Sequence, residues 1–386
     1  MVISRLQTQE AAAWIALSLV PGVGRATLKR LVRAFGTPSA VFDAEEADLL
    51  RVRGLSDRVC GSITGGPDMA SAHRALDILH AHHAWIMTFQ DDDYPAWLAA
   101  TGDGPAILYG MGSRQALSMF SVAVVGSRSA SSYGLKVAGQ FGAGLASRGV
   151  CVVSGLALGV DSAAHRACLN ANGVTVAVTG TGIDIVYPKR NQRLAESIRE
   201  RGAVITEYPP GTRPESRNFP VRNRIISGLS RGVVVVEASR RSGSLITASV
   251  ALEQGREVMA VPGSIYSFKS EGVHWLLKQG AVPVTRLEDI LDAVGWEGPG
   301  TRDVSTADPP DGQVDMHGKA TVPAGLSKKE MRLWEGLDQY PQHIDEIAAA
   351  CDLSASEAAA LLIQMEIRGV VQAMPGHMYQ RVLAKT

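Results

Sequence analysis

The apolar residues between positions 120 and 295 gather into short blocks separated by polar or glycine-rich stretches. Val122–Val125, Cys151–Ser154, Thr175–Val178, Ala203–Thr206, Val233–Glu237, Val258–Val261 and Val282–Val284 are such blocks. Most are apolar at successive positions, not at alternate ones, and several are rich in β-branched residues, the pattern of strands buried on both faces of a parallel sheet. Segments of helical length, such as Leu245–Gln254, lie between most of them. Regular alternation of strand and helix predicts an α/β protein with an extended Rossmann-like, doubly wound parallel sheet. Ligands of such sheets sit beyond the carboxyl ends of the strands, so the residues that follow each strand are the first candidates for a site.

Those residues share a composition. Gly126, Ser127 and Arg128 follow the first block, with Gly134 opening the next helix, and Ser154, Gly155 and Gly159 follow the second. Gly180, Thr181 and Gly182 follow the third, with Tyr187, Pro188 and Asn191 just beyond. After Val233–Glu237 come Arg240, Arg241, Ser242, Gly243, Ser244 and Thr247, at the start of a helix where free backbone N–H groups attract anions. Four such loops at one edge predict a cradle of N–H donors for phosphate oxygens. Between Arg217 and Arg241 stand six arginines and one acid, Glu237. Arg128, Arg217, Arg222 and Arg224 are expected on one rim, where guanidinium forks match phosphate geometry. Phe219 lies among them. A ring flanked by arginines suits an unpaired nucleic-acid strand, with charge for the backbone and a face for a base. The same ring also fits a plug for the core beneath its loop, and both readings stand.

The flanking regions are of other kinds. Residues 1–66 read as short helices. In Leu19–Thr37 a Pro-Gly-Val-Gly turn precedes a helix with Leu28, Leu31 and Val32 on one face and Arg25, Lys29, Arg30 and Arg33 on the other. This is the pattern of a helix-hairpin-helix or SAM-like unit. Its Gly22–Gly24 amides either approach a DNA phosphate or simply shape the turn. Residues 67–119 read as a connecting segment that leads into the sheet, with a helix at Ala70–His82. Asp91, Asp92 and Asp93 read as a solvated loop, since adjacent carboxylates cannot all converge on one ion. Residues 297–325 have the composition of a flexible linker. Residues 326–386 predict three helices and a glycine-centred hairpin, a winged-helix pattern. Its third helix carries Glu357 and Glu366 with only Arg368 as a base, which favours a protein-contacting or regulatory role over DNA reading.

Composition changes this picture in one respect. The 386 residues are 46% hydrophobic and 20% charged, ordinary for a soluble chain of two or three domains. The net charge is zero, but it divides as −2 over residues 1–115, +7 over 116–296, −3 over 297–325 and −2 over 326–386. A basic middle flanked by acidic ends points to a localised polyanion site. Cys60, Cys151, Cys168 and Cys351 are scattered, so neither disulfides nor a metal site are expected, in line with a reducing cytoplasm. The apolar run Ala11–Val20 is too short to span a bilayer.

Enzymatic readings fit these features less well. No G-x-G-x-x-G follows the first strand, and no acid stands about 20 residues on for a ribose, which argues against a dinucleotide enzyme. Asp161 and His165, four apart, read as a capping or buried structural pair. The alternative that stays open is a nucleotide phosphoribohydrolase on a related frame, with Glu207 or Glu237 as its acid.

The motifs VVGSRSASSYG, VVSGLALGVDSAAH, TGTGIDIVYPKRN, EYPPG, NFPVRNRIISGLS and SRRSGSLITASVALEQGREVMAVPG, over about residues 88–285, resemble those of the DNA-processing protein A family, also called DprA or Smf. The resemblance implies a non-enzymatic single-stranded DNA binder. It would protect incoming DNA and load the RecA recombinase during natural transformation, as a cytoplasmic homodimer without cofactor, metal or membrane anchor. Carried over by motif and loop, the DNA pocket would comprise Gly126, Ser127, Arg128, Ser154, Gly155, Arg217, Phe219, Arg222, Asn223, Arg224, Ser242, Gly243, Ser244 and Thr247. His274 stands where the family usually has Asn, which puts that residue's polar contact in question.

Overall fold

The structure, a computed structural model, describes residues 5–298, 326–337, 342–351, 353–374 and 378–381. The expected linker at 297–325 lies almost wholly outside the described residues. The chain divides into two compact units, residues 1–301 and 302–386.

The first unit is built on nine strands: β1 (Trp85–Thr88), β2 (Ile107–Gly112), β3 (Ser121–Val125), β4 (Cys151–Ser154), β5 (Thr175–Val178), β6 (Ala203–Thr206), β7 (Gly232–Val235), β8 (Glu257–Ala260) and β9 (Val282–Pro283). They lie in the order β1-β2-β6-β5-β4-β3-β7-β8-β9. From β6 to β9 every pairing is parallel, with Val122 opposite Gly232 and Val125 opposite Val235 at the centre. Strands β3 to β7 are buried at every position, which is why their sequences do not alternate.

The seven expected strands are all present, and two more are found. β1 and β2 join the sheet antiparallel, so the segment 67–119 is not only a connector. Its strand character is masked by Gly110 and Gly112, which read as turn residues. Gly110 serves close packing instead: a Cβ there would stand 2.3 Å from the ring of Trp85 on the neighbouring strand.

Alternate residues of each strand face opposite layers. Ala123, Val125, Val153, Val176 and Val178 pack under helices Asn218–Leu229, Gly243–Glu253 and Glu271–Lys278. Val122, Val124 and Val152 face helices Ser132–Ser147, Val160–Asn170 and Leu287–Ala293. The N-terminal helices cover the latter face towards β6 and β2. Ile15, Leu17, Leu28, Leu31 and Leu79 share a core with Tyr109, Ala177, Ile198 and Val204. The described part of the N-terminal helical region, residues 5–66, is therefore packed onto the sheet, not held apart from it. Within it, the amides of Val23 and Gly24 donate to the carbonyls of Val20 and Gly22, at 3.0 and 3.2 Å. Those two hairpin amides are spent inside the turn.

The second unit has helices Lys328–Gly336, Ile344–Ala350 and Ala355–Ile367 with strands β10 (Gln342–His343), β11 (Val371–Met374) and β12 (Met378–Arg381) in the order β10-β12-β11. It is a winged helix around Leu333, Trp334, Ile347, Leu362 and Met365. Ser327 and Glu330 form a capping box at its first helix, each bonding the other's backbone N–H. Arg368 pairs with Glu330 at 3.1 Å and Lys329 with Glu357 at 3.2 Å. Residues 375–377, the centre of the expected hairpin, lie outside the described residues. No described helix is long and apolar enough to cross a membrane. The four cysteines are free and buried.

Candidate nucleic-acid interface

At the carboxyl edge of the parallel strands is a cleft of about 590 Å³. Its walls are the loop after β3, the first turns of helix Asn218–Leu229 and the Ser242–Thr247 turn. Gly126, Ser127, Arg128, Phe219, Arg222, Asn223, Ser242, Gly243, Ser244 and Thr247 all line it. Phe219, Arg222, Asn223 and Ile226 are one helical stripe, at i, i+3, i+4 and i+7. Folding the segment as a helix is what turns them all the same way.

The floor is a fixed charge. Arg222 is 4% exposed, and its Nη1 donates to the carbonyl of Gly155 at 2.7 Å and to that of Val178. It thus ties the end of β4 to the end of β5. Burial, with Arg128 nearby, lowers its pKa to about 10, so it stays charged at neutral pH. Across from it, burial pushes the Asp161 carboxyl up, while Arg222 and two backbone amides hold it down. Those amides belong to Gly155 and Ala157, at 3.0 and 3.3 Å. The loop after β4 therefore gives these donors to an internal carboxylate. This corrects the expectation of phosphate-ready amides in that loop. Asp161, which holds these two amides, also lines the cleft.

The rim is aromatic and cationic. The exposed Arg128 guanidinium lies 5.3 Å from the centroid of Phe219, and that of Arg222 6.0 Å. Tyr187, 43% exposed, sets its ring 5.5 Å from that of Phe219, inclined at 37°. Phe219 is half-buried on the cleft wall, so it is not a plug sealed beneath the loop. Ser242 caps helix Gly243–Glu253 and its hydroxyl meets that of Ser244 at 2.7 Å. Asn223 reaches the carbonyl of Gly243 at 3.4 Å, so the two helix starts face each other. The N-terminal end of Gly243–Glu253 adds positive potential.

Four of the expected residues lie elsewhere. Arg224 is 6% exposed and points away from the cleft, donating to the Glu207 carboxylate and to the Asp103 carbonyl. Two residues along a helix from Arg222 is about 200° around it, so the two arginines cannot share a face. Arg217 is open to solvent and paired with Glu215 at 2.6 Å. Ser154 is buried and donates to the Val124 carbonyl at 2.6 Å. Gly155 opens on a smaller adjoining hollow of about 190 Å³, shared with Arg128, Tyr187 and Phe219. Tyr187 is the functional candidate that motif reading left out. An exposed ring before Pro188, at the end of a glycine-rich loop on the ligand edge, was the available signal.

The carboxylates of the hydrolase alternative are both occupied. Glu207 holds Arg224, and Glu237 accepts from the Ser131 amide at 2.9 Å and from its hydroxyl. Neither lines the cleft. Asp91 and Asp93 clamp Arg114, each at 2.6 Å. The helix bearing His274 persists, and its Nε2 meets the Gly263 carbonyl at 3.0 Å.

Fold and cleft together define a Rossmann-like α/β protein with a helix-hairpin-helix region before the sheet and a winged helix after it. Residues 85–295 match the model of the DNA recombination-mediator protein A family, residues 317–377 the DprA winged helix domain and residues 15–64 a SAM-like helix-hairpin-helix tandem. The chain belongs to the DNA recombination-mediator protein A family. Protein Smf of Escherichia coli is 43% identical over 300 residues, 76% of each chain. The X-ray structure of DNA processing protein A from Streptococcus pneumoniae matches with a TM-score of 0.64 at 36% identity, over 76% of this chain and 98% of that one. A structure that gives insight into the single-stranded DNA binding mode of DNA processing protein A from Helicobacter pylori matches with a TM-score of 0.51 at 26% identity, over 56% of this chain and 99% of that one.

Proposed function

We propose that this protein binds single-stranded DNA in the cleft, shields it and loads the RecA recombinase on it during natural transformation, as a cytoplasmic homodimer and not as an enzyme. The observation that carries the DNA reading is the set of rings and charges at the rim. Phe219 and Tyr187 offer faces to an unpaired base, Arg128 offers an exposed charge to the backbone, and Arg222 supplies a fixed one from below. A duplex keeps its bases stacked inside and has no use for such rings, whereas a single strand gains from stacking and charge together. The single-stranded DNA binding of the Helicobacter pylori relative supports the same reading.

The experiment is a titration with single- and double-stranded oligonucleotides of equal length at two salt concentrations. Preference for the single strand is expected, with affinity falling as salt rises by about 0.7 in log-log slope per phosphate neutralised. Equal binding of both forms, or binding indifferent to salt, would sink the reading. RecA loading is read separately, as faster filament formation on strands precoated with a single-strand-binding protein.

A further inference from the structure

Helix Asn218–Leu229 has a second face. Val221 is turned away from the cleft and lines a slot of about 230 Å³ with Val23, Leu28, Ile107, Tyr208 and Pro209. Arg224 is turned the same way, against Glu207 and Asp103. The slot and the cleft are separated by one turn of this helix, and Tyr208, on the slot wall, bonds the Asn218 carbonyl at 3.2 Å. The slot mixes this apolar lining with Arg25 and Glu207, and it is small against ligand pockets of roughly 300–1,000 Å³. A single base is of the size it holds.

From the slot a line of cations leads away. Arg25 is on its wall, and Lys29 and Arg33 follow at i+4 and i+8 on helix Arg25–Phe35, one turn apart each. Arg25 is held by Asp103 at 2.8 and 3.2 Å. Lys29 and Arg33 rest on the ring of Phe89, 5.6 and 5.5 Å from its centroid, and among the described residues neither has an acidic partner within 4 Å. A cation parked on a ring keeps its charge and its N–H donors for another anion. Among the described residues, the carboxylates paired with this group of cations are Asp103, with Arg25 and Arg224, and Glu207, with Arg224. Burial, and after it the neighbouring Arg33 and Arg224, lower the pKa of Lys29 to about 8, so it still carries its charge at neutral pH.

We infer that a single strand held in the cleft continues over the Asn218 turn, places a base in the Tyr208–Val221 slot and runs its phosphates along Lys29 and Arg33. This rests on the proposed function and extends it: the N-terminal helices become part of the strand path through side chains, not through their hairpin amides. Apolar lining beside cations without an acidic partner suits a nucleotide, and the first turn of helix Asn218–Leu229, which Tyr208 bonds from the slot side, stands between the slot and the cleft.

The test compares parent, Lys29→Gln/Arg33→Gln and Val221→Glu proteins on an oligonucleotide of about four nucleotides and one of about sixteen, the two ends of common strand-binding site sizes. The double variant should bind the short strand like the parent, bind the long strand more weakly and lose about 1.4 in log-log salt slope on it, two phosphates' worth. Val221→Glu, at the slot mouth, should likewise spare the short strand and weaken the long one. Equal effects on both lengths, no effect on either, or an effect confined to duplex DNA would overturn the path. If Arg128→Ala binds both lengths as the parent does, the cleft reading fails and the path with it. Loss of the path alone leaves the Arg128→Ala defect in place.

Discussion

A methyl group on Gly155 would stand 2.5 Å from the guanidinium of Arg222, the same arginine that holds the Gly155 carbonyl at 2.7 Å. The glycine is what lets a buried cation sit against the end of β4. Gly155→Ala should force Arg222 from its two carbonyls, at about 1–3 kcal/mol of stability as for other overpacked sites. Thermal unfolding measures that cost, and oligonucleotide affinity should fall in the same variant because the cleft floor moves. An unchanged melting temperature would show that Arg222 has room to yield.

Arg128 and Phe219 are expected to act together. Phe219→Ala should cost about 1–3 kcal/mol of single-strand affinity if a base stacks on the ring. Arg128→Ala should weaken binding and lower its salt dependence. Because the guanidinium lies over the ring, the double variant should lose less than the two singles combined, with a coupling of about 0.5–1 kcal/mol. Strict additivity in fluorescence anisotropy titrations would separate the two roles.

Arg224 belongs to stability. Arg224→Ala leaves Glu207 buried without its cation and should destabilise by about 3–5 kcal/mol. Arg224→Leu together with Glu207→Leu removes both charges and should recover much of that loss, since no lone charge stays buried. The folded double variant should bind short single strands close to the parent's affinity. A large, stability-independent binding loss would return Arg224 to the site.

His165 makes stability acid-sensitive. The Thr175 hydroxyl donates to the Val152 carbonyl at 2.6 Å, so His165 Nδ1–H is the donor across 2.7 Å to Thr175, and Nε2 is buried without a partner. Burial, with Arg222 adding to it, lowers the pKa from 6.5 to about 3. The unfolded chain takes up this proton first as pH falls. Stability from this group is therefore complete above about pH 6.5 and drains away towards pH 3, by about 2 kcal/mol at pH 5. His165→Gln should flatten the melting temperature between pH 7.5 and 5. An equal slope in parent and variant would assign the acid sensitivity elsewhere.

Much of this protein was legible in the chain. The central strands read true because burial on both faces demands unbroken apolar runs, and of the loops expected at their carboxyl edge those after β3 and β7 line the cleft, while the amides after β4 are taken by Asp161. β1 and β2 did not, since Gly110 looks like a turn until the Trp85 ring is placed beside it. Ten of the fourteen expected site residues line the cleft, and its helical stripe could have been counted from Phe219, Arg222, Asn223 and Ile226. The same count would have sent Arg224 to the other face.

By itself, then, the sequence determined the sheet, its direction, the loops at its carboxyl edge and the concentration of arginine there. These are local or periodic properties, and neighbouring residues suffice to express them. Which arginine meets solvent and which is consumed by a carboxylate was decided only in three dimensions. Asp103, Asp161 and Glu207 reach their partners across turns and strands, and a charge counts as free only after every such partner has been placed.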